Sequence, residues 1–156
     1  MENKGITIIT LIVMITVIII LTSVFIATGL DSLNEAKNTE KKNEIYQLKE
    51  AVINRYTSYE KNNGNVILIG TLAKNKYPIP TDCVDKIIPT LSLDDASQKE
   101  KDDKINKISN EITRDYDKFV MIVDSGDRIK LGLENSSDYI YIVNYYTGSV
   151  YGPIEE

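Results

Sequence analysis

One uninterrupted stretch, ITIITLIVMITVIIILTSVFIATGL at residues 6–30, contains no charged side chain. A hydrocarbon layer about 30 Å thick is spanned by roughly 20 apolar residues wound as a helix, so this stretch is long enough to cross one with some tilt. A helix that is apolar on every side has no face to offer solvent in a small soluble domain. The stretch therefore predicts a transmembrane helix at 6–30, followed by a polar, Tyr-rich remainder. Secretory signal peptides have a shorter apolar region, about 7 to 15 residues, that ends in a small-x-small cleavage site. Val24-Phe25-Ile26-Ala27 offers no such pair, so removal at the far end of the run is not expected. Lys4 in the leader, set against a mixed-charge region after Leu30, favours a cytoplasmic N-terminus and an external bulk.

Beyond the run, DSLNEAKNTEKKNEIYQLKEAVINRYTSYEKNN contains neither Pro nor Gly, and has apolar residues at Leu33, Ile45, Leu48, Val52, Tyr56 and Tyr59 among others. From Ile45 onward the spacings are three, four, four and three, which is one stripe along a helix. Asn63-Gly64-Asn65 supplies the stop, because Asn and Gly tolerate the left-handed conformation of a helix cap. One helix is thus expected from residue 6 to about 62, apolar over 6–30 and amphipathic over 31–62. Gly29 is its weak point, costing about 1 kcal/mol against Ala.

A chain of 156 residues allows one modest globular unit besides such a helix, here residues 63–156. The middle, NVILIGTLAKNKYPIPTDCVDKIIPTLSLDD, contains three of the four prolines and reads as loop with one or two short strands, such as Val66 to Ile69. Ile105, Ile108 and Ile112 then recur at helical spacing, with Glu100 before Lys104 and Asp103 before Lys107, predicting a second, short amphipathic helix. The final third reads as sheet, with strands at 118–123, 139–143 and 149–151 and a hairpin through Thr147-Gly148. Residues 125–133 fit either a capped helical turn or a strand. Tyr139 and Tyr141 share one face of their strand and Ile140 and Ile142 the other. On composition the isoleucines are expected to face the long helix, while the tyrosines keep their hydroxyls near water.

Chemistry is sparse. The chain has no His, which removes the commonest general base and metal ligand, and no Gly-rich phosphate loop or nucleophile elbow. The acidic pairs Asp94-Asp95 and Asp102-Asp103 are neighbours in sequence, and mixed charges at i,i+4 describe a solvated helix face better than a metal cluster. No catalytic residue, metal or cofactor is expected. Cys83 is the only cysteine, so no intramolecular disulfide forms, and a buried structural thiol is the expectation. A net charge of −5 argues against nucleic acid as a partner, since phosphate binding needs clustered Lys and Arg.

The leader ending in Lys4-Gly5, the uncharged helix opening Ile6-Thr7-Ile8-Ile9, its amphipathic continuation and the small sheet together resemble the type IV pilins and type II secretion pseudopilins, in their Gram-positive, clostridial form. The match is most specific over "NKGITIITLIVMITVIIIL" and weaker over the ending "KLGLENSSDYIYIVNYYTGSVYG", while residues 64–117 match nothing in the family. The resemblance implies an α+β fold in which a long N-terminal helix, its first half transmembrane, packs on a small antiparallel sheet. It further implies a leader at 1–5 cut by a prepilin peptidase between Gly5 and Ile6, N-methylation of Ile6, and Lys4 as the leader charge at the cytosolic face. Subunits of this family then leave the cytoplasmic membrane through an assembly machinery and stack their helices with other pilin subunits in an extracellular filament or secretion pseudopilus. Thr10 departs from the pattern, standing where most members have a glutamate thought to neutralise a neighbour's amine. A carboxylate at that depth costs a few kcal/mol in lipid, so its absence removes a charge pair but not the cleavage site, and it admits a minor subunit. The alternative from another class is a permanently anchored single-pass surface binding or sensor protein.

Overall fold

A computed structural model describes residues 3–134 and 137–154; within the first helix, side chains are described for 12–18 and from 35 onward. The chain divides into two units, Met1–Lys42 and Asn43–Glu156.

Helix α1 covers Asn3–Lys61, and the first unit is built on it. Its described side chains fall into two stretches of opposite character. Residues 12–18 are apolar except for Thr16, whose hydroxyl donates to the Ile12 carbonyl one turn back and so hides its polarity within the helix. Residues 35–42 are almost all polar or charged and exposed. The transmembrane expectation for 6–30 rests mainly on side chains outside the described residues. Among the described residues no helix is long and apolar enough to cross a membrane.

The second unit begins with the last turns of α1. These end as the sequence predicts, with Asn63 and Gly64 at positive φ (50° and 80°) and the Gly64 N–H donating to the Tyr59 carbonyl at 2.9 Å. A four-stranded antiparallel sheet follows, in the spatial order β1 (Thr71–Leu72), β2 (Val120–Val123), β3 (Ile140–Asn144), β4 (Ser149–Ile154). Between β1 and β2 lie α2 (Pro80–Ile87) and α3 (Gln98–Asp115), and α4 (Ser125–Lys130) joins β2 to β3.

Local chemistry explains most of these boundaries. Pro80 opens α2, where a missing N–H costs nothing and its fixed φ suits the helix. Ser97 and Glu100 form a reciprocal capping box on α3, the Ser97 N–H donating to Glu100 Oε2 at 2.8 Å. The side chain of Asp124 caps α4 through the Asp127 N–H at 2.8 Å. The β3–β4 hairpin closes through the Gly148 N–H on the Asn144 carbonyl at 2.9 Å, with Gly148 at φ 71°. The loop reading of the middle segment missed α2 altogether. The expected strand at Val66 to Ile69 is irregular chain, and β1 forms just after it at Thr71–Leu72.

Each strand serves two cores, because successive side chains point to opposite faces. On one face Val120, Ile122, Ile142 and Ile154 pack with Cys83, Val84 and Ile87 of α2 and Ile108 and Ile112 of α3. On the other, Met121, Val123, Tyr141 and Val143 pack with Leu48 and Val52 of α1 and with Tyr145. Tyr141 therefore faces α1, with Tyr139 packed against the same cluster, while Ile142 faces α2 and α3. This reverses the expectation that the isoleucines face the long helix. The reason is physical: both faces are covered, and α1 offers a buried carboxylate, Glu44, that matches a phenol and not an alkyl chain.

Candidate functional site

Two regions are candidates for a functional site, one in each unit. In the first, every described apolar residue between 12 and 18 is exposed: Ile12 60%, Val13 55%, Met14 63%, Ile15 50%, Val17 47% and Ile18 59%. Consecutive helical residues are 100° apart, so these six positions, with Thr16 among them, cover the whole circumference of α1 for about two turns. No face of that cylinder is polar.

The sequence-predicted residues Lys4, Gly5, Ile6 and Thr10 lie on the same helix. Their side chains fall outside the described residues, so only the backbone of the positions expected to be the leader charge, the cleavage and methylation site and the departure at Thr10 is placed on α1.

In the second unit, four side chains from three parts of the chain converge where α1 meets the sheet. Glu44 of α1 is 9% exposed and Arg128 of α4 is 2% exposed. Arg128 Nη1 donates to Glu44 Oε1 at 3.0 Å. The Ser137 hydroxyl donates to the same carboxylate at 2.8 Å and accepts from Arg128 Nη1 at 3.1 Å, while the Ser137 carbonyl accepts from Arg128 Nη2. The Tyr141 hydroxyl donates to Glu44 Oε2 at 2.7 Å, and its ring lies 5.4 Å from the guanidinium. Burial, followed by its bond to Glu44, raises the Tyr141 phenol well above its ordinary value, so it stays a donor at any ordinary pH. Nothing in the sequence reading singled out Glu44 or Arg128. The available signal was a lone acid one residue before the apolar stripe that begins at Ile45.

Beside this network an open groove of about 410 Å³ runs between α1 and the chain after α4, lined among others by Gln47, Glu50, Asn54, Arg55, Lys130 and Leu133. Around the end of α1, Tyr56, Tyr59, Phe119 and Tyr146 form a ring cluster with centroids 5.5 to 6.2 Å apart, and Arg114 covers Tyr146 at 5.1 Å.

The remaining titratable groups have structural surroundings. Cys83 is fully buried in the α2–α3 core, and burial pushes its thiol up to about 12. Asp94, Asp95, Asp102 and Asp103 are exposed. Glu111 and Asp115 of α3 come together on Asn144, whose Nδ2 donates to Glu111 Oε1 at 3.2 Å and to Asp115 Oδ2 at 2.8 Å. Thr147 and Tyr151 donate to the same Glu111 oxygen at 2.6 and 3.1 Å, so the pair ties the β3–β4 hairpin to α3. Among the described residues no group of three acidic or cysteine side chains is placed to hold a metal ion.

No protein-family profile, curated protein or solved structure matches the chain.

Proposed function

We propose that the chain is a structural pilin- or pseudopilin-like subunit, processed after Gly5 and assembled through its N-terminal helix. The observation that carries this reading is the all-round apolar, exposed surface of residues 12–18. Water is the wrong solvent for such a cylinder, at about 25 cal/mol per Å² of apolar area left wet. Lipid satisfies it before assembly, and the apolar helices of other copies satisfy it afterwards. The Thr16 hydroxyl, turned back onto its own helix, suits both environments.

On this reading residues 1–5 are the leader, with Lys4 at the cytosolic face of the cytoplasmic membrane, and a prepilin peptidase cuts at Gly5-Ile6 and methylates Ile6. Residues 6–30 are the transmembrane and assembly half of α1, residues 31–62 its amphipathic half, and the α+β head lies outside the cell. Thr10 contributes hydroxyl contacts where a charge pair is usual, which fits a minor subunit or assembly by packing alone. The subunit acts by association with other copies and with the assembly machinery, not by catalysis, and nucleic acid is not its partner.

Intact mass of the protein isolated from membranes of cells that possess the peptidase tests the reading directly. The expected chain begins at a methylated Ile6, and Gly5→Val leaves the leader attached. A wild-type chain beginning at Met1 would sink the proposal in favour of a permanently anchored surface protein, in which the Gly5 substitution changes nothing.

A further inference from the structure

The apolar stripe of α1 is nearly periodic, and this exposes a problem of registration. Moving α1 by four residues carries Val52 into the place of Leu48 and Tyr56 into the place of Val52, so one apolar set replaces another on the same sheet face. A repeating stripe alone is a weak determinant of position along the helix axis, as in coiled coils, where one buried polar residue selects the register. We infer that Glu44 is the positioning residue that fixes where α1 docks on the head, by matching Arg128.

The surroundings of Glu44 support this at both possible slips. Its carboxylate takes bonds from Arg128 of α4, Ser137 in the chain before β3 and Tyr141 of β3. If Leu48 moved into its place, the guanidinium of Arg128, 2% exposed, would lose its carboxylate to an alkyl chain. If Glu40 moved into its place, Arg128 would find a new carboxylate, but Glu44 would enter the fully buried site of Leu48 among Val52, Met121 and Val143. Slips of three residues fare worse, because they bring Lys41 against Arg128 or Arg55 into the site of Val52. Only one position of α1 leaves both charges paired. Breaking a buried pair is strongly unfavourable, whereas the pair as a whole contributes little net stability, which is the signature of a group kept for specificity. The inference concerns the head and stands whether or not the chain assembles.

The register has a direct reporter. A Cβ built on Gly148 lies 2.6 Å from Ile53 Cγ1, so cysteines introduced together as I53C and G148C are within disulfide reach, while T57C lies one turn, about 6 Å, further along α1. Cys83 is fully buried and does not compete. The backbone strain of a side chain at Gly148, φ 71°, is common to every variant, whereas its close approach to Ile53 persists in T57C/G148C, so each cysteine pair is compared with itself across the Glu44 variants. In the full-length chain in membranes, I53C/G148C is expected to cross-link and T57C/G148C not to.

The deciding variant moves the carboxylate by one turn, E44L/L48E. If Glu44 sets the register, cross-linking to position 148 transfers from position 53 to position 57. If it stays entirely at 53, the size of the apolar side chains sets the register and the inference is overturned. Should E44L/L48E not fold, E44L/R128M, which leaves no charge buried, answers the same question. Appearance of the 57–148 cross-link beside 53–148 supports the inference, and exclusive 53–148 cross-linking overturns it.

Discussion

The two faces of the sheet are closed by different means. Against α2 and α3 the contact is mostly aliphatic, with Ile87, Ile112, Val120 and Ile142 fully buried, Cys83 filling space among them and Tyr116 buried beside them. Against α1 the aliphatic contact is smaller, Leu48 and Val52, and is joined by Tyr141, Tyr145 and a buried ion pair. The α2–α3 layer is tethered by short connections within the head, and Glu111 and Asp115 tie it to the β3–β4 hairpin through Asn144. The helix α1 arrives as one long, near-periodic element, and an apolar stripe does not say where along it the sheet should sit. The difference teaches that polar groups in this core act as position markers, with apolar burial supplying most of the stabilisation.

Removing one member of the marker pair tests this most severely. Arg128→Met leaves the Glu44 carboxylate buried without its guanidinium and is expected to cost about 3–5 kcal/mol, read from urea denaturation of the full chain. Adding Glu44→Leu should return stability to within about 1 kcal/mol of wild type or above it, because both charges are then gone. A double variant as weak as the single would mean that the pair itself stabilises the head. Next in size come the apolar contacts, for which Leu48→Ala on one face and Ile112→Ala on the other should each cost about 2–5 kcal/mol. Since the two residues lie on opposite sides of the sheet and belong to separate clusters, their costs should add within about 0.5 kcal/mol. A coupling much larger than that would show the two faces to be one core. Tyr141→Phe is expected to fall below these, at about 1.5–3 kcal/mol for a lost hydrogen bond to a charged acceptor.

These residues also show what was legible beforehand. The isoleucines of α3, the last three strands, the hairpin at Gly148 and the stop at Asn63-Gly64 were readable because each depends on a local rule: period, turn chemistry or a left-handed cap. The helix α2 was not, because eight residues with apolar positions only at Cys83, Val84 and Ile87, set among Pro78, Pro80 and Pro89, carry too short a period to stand against the loop signal. Pro80 at the first helical position was the overlooked cue. The two residues of β1 have no pattern of their own and are strand only because β2 pairs with them. The facing of Tyr141 was beyond local reasoning altogether, since it depends on Glu44, which lies 97 residues away and looked like part of a solvated helix face.

The smallest expected effect concerns the pair that the buried Asp115 makes with the exposed Arg114 on the α3 side, and it sharpens the contrast with the pair buried at both ends. Asp115 accepts from Arg114 Nε at 2.8 Å and Nη2 at 2.6 Å, as well as from Asn144. The Arg114 guanidinium first, and then Asn144, hold its carboxyl below the ordinary carboxylate value against the opposing effect of burial. A carboxyl whose folded pKa is depressed binds fewer protons folded than unfolded within that window, so it contributes stability above about pH 3.9 that is lost as pH falls through the folded value. The urea midpoint of Asp115→Asn should therefore lie below that of wild type near neutrality and approach it as pH falls below about 4. Arg114 stands largely in solvent, with 57% of its side chain exposed, so added salt should shrink the neutral-pH difference. The cost of Arg128→Met, by contrast, should be nearly insensitive to salt, because that pair is shielded by Tyr141 and Ser137. Equal salt sensitivity of the two variants would erase the distinction between an ion pair buried at both ends, facing α1, and one open to solvent at Arg114, on the α3 side.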